Sequence, residues 1–164
     1  MKPEERSFSQ EKDVGPAIRT DLWVLRQKSR PVAAGDRPAE LADILFRVLK
    51  KYRAQGLAAV QVGRRLRLFV MCNEPGTPVC LVNPLITKSK GCVVAVEGCL
   101  SLPGIEVPVP RPRRITLEGL NQYLKPVRYR FEGIKARRAC HELDHLNGKL
   151  ITDYQEVSDG TGKG

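Results

Sequence analysis

Between residues 57 and 131 the chain carries five strand-like runs, and no gap between them is long enough to hold a crossover helix. Parallel neighbours need a connection of about a dozen residues or more. The runs "RLRLFVMC" (65–72), "VCLVNPLI" (79–86), "GCVVAVEGCLSLP" (91–103), "RRITLEGL" (113–120) and "KPVRYRF" (125–131) are therefore expected to pair antiparallel. Proline, glycine and asparagine punctuate them.

Two helical patterns flank this middle. "DRPAELADILFRVLKKYRAQ" (36–55) repeats Leu41, Ile44, Leu45, Val48 and Leu49 at helical spacing. Asp36 is the predicted N-cap, Pro38 suits the first turn, and Lys50, Lys51 and Arg53 favour the C-terminal end. Gly56 is expected to stop it. "DLWVLRQKSRPV" (21–32) reads as a short extended or turn segment. A second helix is predicted to begin near Glu132 or Gly133, run through His145 and end at Gly148. The expected fold is α+β: antiparallel or mixed β-sheets packed around a central helix that bears residues 141–145, with an N-terminal helix. Residues 1–16 read as a flexible arm, 17–154 as one folded domain, and 155–164 as a disordered, Gly-rich tail.

The net charge is +10, gathered in clusters at Arg64, Arg65 and Arg67, at Arg111, Arg113 and Arg114, and at Lys135, Arg137 and Arg138. Such charge suits an anionic partner such as RNA or a ribosome surface, and equally a plain solvated face. No helix-turn-helix, RRM or zinc-finger pattern is present, and aromatics are only 5%, so base-stacking platforms are scarce. Specific DNA binding is not expected. No apolar run reaches the ~18 residues of a membrane span. The N-terminal stretch lacks the apolar core of a secretion signal, and its Glu4, Glu5, Glu11 and Asp13 argue against a transit peptide. A cytoplasmic location is expected. The five cysteines are odd in number and none has CxxC spacing, so free thiols are expected, each either buried or chemical.

The stretch "CHELDHLNGKL" (140–150) holds both histidines of the chain, four residues apart. On a helix, four residues turn through about 400°, so His141 and His145 share a face one turn apart and can chelate one metal. Glu142 lies about 100° round, where it reaches a water on the metal rather than the metal itself. A catalytic site of this kind takes three protein ligands. The metzincin extension would put a third histidine at Ile151, and a downstream glutamate is represented only by Glu156 in the tail. The third ligand is therefore expected upstream, and cysteine is the natural candidate. Cys140 points off the chelating face and reads as a small packed residue. Cys72, Cys80 and Cys92 lie in strand-like apolar surroundings and read as core. Cys99, in "EGCLSLPG" (97–104), sits at a strand end or turn where the backbone can approach a ligand.

Three segments, "GLAAVQ" (56–61), "EGCLS" (97–101) and "HELDH" (141–145), resemble the GxGLAAxQ, EGCLS and HExDH motifs of the peptide deformylases, in the same order. The resemblance covers roughly residues 20 to 154, which makes 17–154 the expected catalytic domain. It implies one divalent metal ion held by Cys99, His141 and His145: Fe²⁺ in the cell, with Zn²⁺, Ni²⁺ or Co²⁺ as alternatives. It implies release of formate from the N-formylmethionine of a nascent peptide. Glu142 would act as general base and then acid, with the Gln61 amide and the Leu100 backbone N–H stabilising the oxyanion. Gly56 would leave room for the peptide backbone, with a helix C-cap as its plain alternative. Ile134 would line the methionine pocket, with core packing as its alternative. Glu97 and Arg111 would form a supporting ion pair, with solvated charges as the alternative, and Asp144 would orient backbone or face solvent. Three residues depart from the family pattern: Ala54 stands for its first glycine, Val60 for a common proline, and Cys140 for a usual glutamine. Many bacterial members carry a C-terminal helix implicated in ribosome docking. Here any transient ribosome contact is expected through the basic surface, and the chain is expected to be a monomer. Two rival readings are an HExxH zinc peptidase and a basic ribosome- or RNA-binding module with a structural metal.

Overall fold

The computed structural model describes residues 15–155. The expected arm and tail lie outside them, apart from Gly15, Pro16 and Gln155. Among the described residues, seven strands form two sheets. β1 (Gly56–Ala58), β2 (Leu68–Glu74), β3 (Thr77–Lys90), β6 (Arg114–Leu120) and β7 (Pro126–Glu132) make a five-stranded sheet in the order β1-β2-β3-β6-β7. β4 (Val93–Cys99) and β5 (Leu102–Arg111) make a separate two-stranded sheet. Every strand pair is antiparallel, as the short connections require. An isolated parallel bridge joins Arg30 to Leu66.

The continuous apolar run of β2 is explained by burial on both faces. Phe69 and Met71 pack with Leu81, Ile115, Leu117 and Phe131 against one helix, α3 (Ile134–Leu146). The alternate residues Leu68 and Val70 pack with Cys80 and Val82 against the other, α2 (Pro38–Tyr52). The sheet is therefore covered on both sides at its β1–β3 end. A third small cluster of Leu25, Leu102, Val107, Val109, Leu150 and Ile151 lies beneath the β4–β5 hairpin.

α2 is shorter than its sequence pattern and differently capped. Pro38 occupies its first turn as expected. Asp36 is not its N-cap. The Asp36 carboxylate instead accepts the Ala33 N–H at 2.7 Å and pairs with Arg30 at 2.7 Å, closing a short 3₁₀ turn at Ala34–Asp36. The helix ends because Arg53 turns left-handed (φ 51°) and Ala54 N–H bonds back to Leu49 O at 2.9 Å. Gly56 is therefore not the stop; it opens β1. Residues 22–25 form one helical turn, α1, where a turn or extended segment was expected.

The run expected at 91–103 divides into β4 and the start of β5. Pro103, Pro108 and Pro110 hide β5 from a sequence reading. Pro108 and Pro110 pair with Val96 and Val94, two residues apart, so their missing N–H groups face the same side of the hairpin. That side is a free edge of a two-stranded sheet, where proline is tolerated. Cys80 is buried and Cys72 packs against the α2 side, but Cys92 is exposed in the turn between β3 and β4. The expectation of a core position for Cys92 is thereby corrected.

α3 starts and stops close to where its pattern predicts. Ala136, Ala139, Cys140, Leu143 and Leu146 form its buried face. Gly148 (φ 72°) follows it, and a Cβ there would lie 2.9 Å from the Arg26 carbonyl carbon, so no other residue fits without displacing α1.

Candidate metal centre

His141 and His145 project from one face of α3 with ring centroids 5.0 Å apart. Cys99, the last residue of β4, brings its Sγ to 3.4 Å from His145 Nε2. The donor atoms of Cys99, His141 and His145 all lie within 4.8 Å of one another. A helix supplies two of them and a hairpin strand end the third. Cys140 stays packed in the core, and burial pushes its thiol up to about 11, so it is held neutral and apart from the cluster.

Behind this cluster lies Glu97, buried on β4. Its Oε1 accepts Arg111 Nε at 2.9 Å and Arg137 Nη1 at 2.7 Å, and its Oε2 accepts Arg111 Nη2 at 2.9 Å. Burial disfavours the Glu97 carboxylate, but the hydrogen bonds from Arg111 and His141 outweigh it and hold the group at about 2. An ionised carboxylate only accepts, so the 2.9 Å contact with His141 Nδ1 is a hydrogen bond donated by the imidazole. That fixes Nδ1 as the protonated nitrogen, so the neutral imidazole would offer Nε2 to a metal. His145 is fully buried and its Nδ1 has no hydrogen-bond partner among the described residues. Burial, with the nearby charges of His141 and Arg111, pulls it down to about 3, so it is neutral and ready to ligate. His141 goes the other way. Burial lowers it, but hydrogen bonds to Cys99 and Glu97 and the charge of Glu142 raise it to about 10. These donors fit a borderline-soft divalent cation.

Glu142 is buried beside this cluster. Its Oε2 has no hydrogen-bond partner among the described residues, and burial pushes its carboxyl up to about 7. Gly56 faces it. A Cβ built on Gly56 would lie 3.0 Å from Glu142 Cδ and closer still to Oε1. The nearest demand on Gly56 is thus the glutamate, not a helix cap. Gln61, also buried, sits in a 3₁₀ turn after β1. Its Oε1 accepts Ala58 N–H at 2.9 Å and its Nε2 donates to Ser101 Oγ at 3.1 Å, which points the NH₂ group toward Cys99 Sγ, 3.8 Å away. Leu100 follows Cys99 in the hairpin turn and Ile134 opens α3; both are partly exposed, and both line a cleft of about 590 Å³ with Gly56, Gln61, Cys99 and Glu142. Ile134 is therefore a cleft residue and not a core residue.

The sequence reading missed three partners. Ser101 orients Gln61. Arg137, counted there among surface charges, is buried and donates to the carbonyls of Val93 (2.6 Å) and Val109 (2.8 Å) as well as to Glu97, clipping the hairpin to α3. Tyr154 donates to Asp144 at 2.6 Å, and Asp144 also pairs with Arg111 at 2.5 Å. Asp144 thus braces Arg111; it neither orients backbone nor simply faces solvent. Arg111 and Arg137 are internal, so the basic clusters are less exposed than their sequence suggests.

The polypeptide deformylase family profile matches residues 17–159. The chain belongs to the polypeptide deformylase family. A peptide deformylase of Alkaliphilus metalliredigens is 44% identical over 138 residues, 83% of this chain and 93% of that one. One from Dictyoglomus thermophilum is 40% identical over 131 residues, 79% of this chain and 85% of that one. The crystal structure of the peptide deformylase from Thermotoga maritima superposes with a TM-score of 0.79 at 38% identity, covering 85% of this chain and 96% of the other. Deformylases remove the N-formyl group from nascent peptides, and membership makes this chain a hydrolase of that class. The peptidase and structural-metal readings find no support beside it. The family implies a single catalytic metal ion, and among the described residues Cys99, His141 and His145 form the cluster that fits one. No helix of the described residues is long and apolar enough to cross a membrane.

Proposed function

We propose that Cys99, His141 and His145 hold the metal and that Glu142, Gln61 and Leu100 carry out deformylation of N-terminal formylmethionine beside it. One observation carries this reading: three donor atoms within 4.8 Å converge next to a buried carboxylate with an unpartnered oxygen. When bound, a divalent metal supplies Lewis acidity that makes water nucleophilic near neutral pH. Glu142 takes the proton of the attacking water and passes it to the leaving amine, a task suited to a carboxyl poised at about 7. As the formyl carbonyl oxygen becomes anionic, the Gln61 Nε2 and the Leu100 backbone N–H donate to it. The formamide C–N bond then breaks to give formate and the free amine. Gly56 keeps its wall thin so that Glu142 and the peptide backbone share the space. Ile134 offers apolar surface to the methionine side chain.

The metal in the cell is Fe²⁺ on this reading, with Zn²⁺, Ni²⁺ or Co²⁺ able to replace it. Residues 17–154 are the catalytic domain, working as a cytoplasmic monomer with transient ribosome contact through exposed basic residues. Formate release from formyl-Met-Ala-Ser by anaerobically purified protein, with metal analysis, tests the core of the proposal. Activity that survives Glu142→Ala undiminished, or full metal occupancy after Cys99→Ala, overturns it.

A further inference from the structure

Outside the metal cleft, the loop that follows the Gln61 turn walls a hollow of about 500 Å³ lined by Lys28, Arg30, Asp36, Arg64 and Arg65. Backbone bonds hold the two walls together. Arg30 N–H donates to Arg65 O at 3.1 Å, and Arg67 N–H donates to Arg30 O at 2.9 Å. Arg64 N–H donates to Ala59 O at 3.0 Å, which ties the loop to the turn that carries Gln61. Asp36 is the one acid of the hollow, and Arg30 occupies both of its oxygens, at 2.7 and 2.9 Å. Lys28 and Arg64 are exposed, and their side chains form no hydrogen bond or ion pair among the described residues. Arg65 donates only to the neutral Gln27 Oε1, at 3.1 Å. A second hollow of about 230 Å³ shares Asp36, Arg64 and Leu66 with the first and continues past Arg37, whose partner is Glu40. The two make a short groove with three uncompensated cations.

The chain's single tryptophan stands beside this groove. Trp23 is 75% exposed on α1, the turn that is anchored by the buried Leu25. Gln27 links it to the cations: its Nε2 donates to Trp23 O at 3.2 Å while its Oε1 accepts Arg65. One amide group thus separates the Arg65 guanidinium from the Trp23 backbone. A cationic groove with an aromatic face beside it suits single-stranded nucleic acid, whose phosphates meet the cations while a base stacks on the ring. The sheet face around Lys88, Arg114 and Arg130 is also basic, but its one aromatic, Phe131, is buried. A lipid surface fits less well, because α1 is a single turn that exposes only Leu22 and Trp23 as large apolar side chains.

We infer that Lys28, Arg64, Arg65 and Trp23 form a docking groove for single-stranded RNA, separate from the peptide cleft. The inference assigns a surface to the ribosome contact proposed above and rests on that reading, since RNA is the polyanion a ribosome presents. Three cations that each neutralise a phosphate make binding fall with salt, and the stacked base adds a contribution that salt does not screen.

Quenching of Trp23 fluorescence by a short oligouridylate reports the contact directly, because no other tryptophan contributes. The expected result is saturable quenching whose log Kd rises with log salt at a slope of about 2, from three phosphates at about 0.7 each. Arg64→Gln/Arg65→Gln lowers the slope to about 0.7 and Lys28→Gln to about 1.4, while both variants release formate from formyl-Met-Ala-Ser as the parent does. Trp23→Ala, followed by anisotropy of a labelled oligomer, binds about fivefold or more weakly, the loss of one stacked base. Lys88→Gln/Arg130→Gln, on the other basic face, binds as the parent does. Absence of quenching, or quenching unaltered by Arg64→Gln/Arg65→Gln, overturns the inference. So does an equal loss in Lys88→Gln/Arg130→Gln, which marks diffuse attraction by net charge. A blue-shifted Trp23 emission with phosphatidylglycerol vesicles, without response to the oligomer, makes the patch a lipid contact and overturns it as well. Co-sedimentation with ribosomes that survives Arg64→Gln/Arg65→Gln overturns the groove and leaves the ribosome contact standing. Parent protein that neither quenches nor co-sediments overturns both.

Discussion

Gly56 and Glu142 touch so closely that the first has no room for a side chain: a Cβ on Gly56 would sit 3.0 Å from Glu142 Cδ and nearer its Oε1. A strand residue thereby sets where the carboxylate of a helix residue rests. Substituting Gly56→Ala is expected to displace Glu142 and lower kcat by about a hundredfold, the low end of what a general base contributes. Stability should change little, and metal content should hold. A variant within a few-fold of wild type in formate release would show that the carboxylate moves without cost.

Glu97→Gln removes the charge that binds Arg111, Arg137 and His141 together. Arg137 loses its counterion and Arg111 is left with Asp144 alone, so unfolding free energy should drop by about 3–5 kcal/mol. The lost carboxylate also frees the tautomer of His141, and metal affinity should fall about 10- to 100-fold. Urea denaturation and chelator competition read the two effects separately. Unaltered affinity in a folded variant would remove Glu97 from any orienting role.

Metal loading should be pH-dependent with a definite sign. A metal takes neutral imidazole, whereas His141 in the metal-free protein is held at about 10 by Cys99 and Glu97 despite its burial. Below that pH, binding must expel the proton, so affinity falls as pH falls, by about tenfold or more per pH unit. Calorimetry in buffers of different ionisation heat should count at least one proton released per metal. His145, already neutral well above about 3, should add nothing to that count.

Gln61→Ala removes a donor whose orientation is fixed at both ends by Ala58 and Ser101. Loss of an oxyanion donor costs about 10²–10³ in kcat. Ser101→Ala should produce a smaller loss of the same kind, because Gln61 keeps its Ala58 contact. Both variants should retain their metal; a Gln61→Ala protein that loses it would assign the glutamine to the ligand cluster instead.

The third motif was legible because helical periodicity, both histidines and the closing glycine coincide within a few residues. Cys99 was legible because it alone among the cysteines stands in a glycine- and proline-flanked turn. β5 was not, since its prolines argue against a strand unless one knows that the hairpin edge is free. The Glu97–Arg111 ion pair was expected and is present, but Arg137 read as solvated charge because arginine is rarely buried without a partner, and its partner, Glu97, is distant in sequence. The role of Gly56 was invisible for the same reason: the atom that crowds it lies on α3, far along the chain.

The β4–β5 hairpin pairs with no strand of the larger sheet. Glu97, Cys99 and Ser101 ride on it, while both histidines and Glu142 ride on α3. What joins them is the Arg137 clip, the Glu97 cluster and the Arg111–Asp144 pair, while a small apolar patch seats the hairpin on Leu25, Leu150 and Ile151. A local opening in which the hairpin lifts away as a unit would strip out the thiolate and leave two histidines on an intact helix. With the proposed ligands, metal escape and hairpin opening would then be a single event, set by that seam rather than by unfolding of the whole chain.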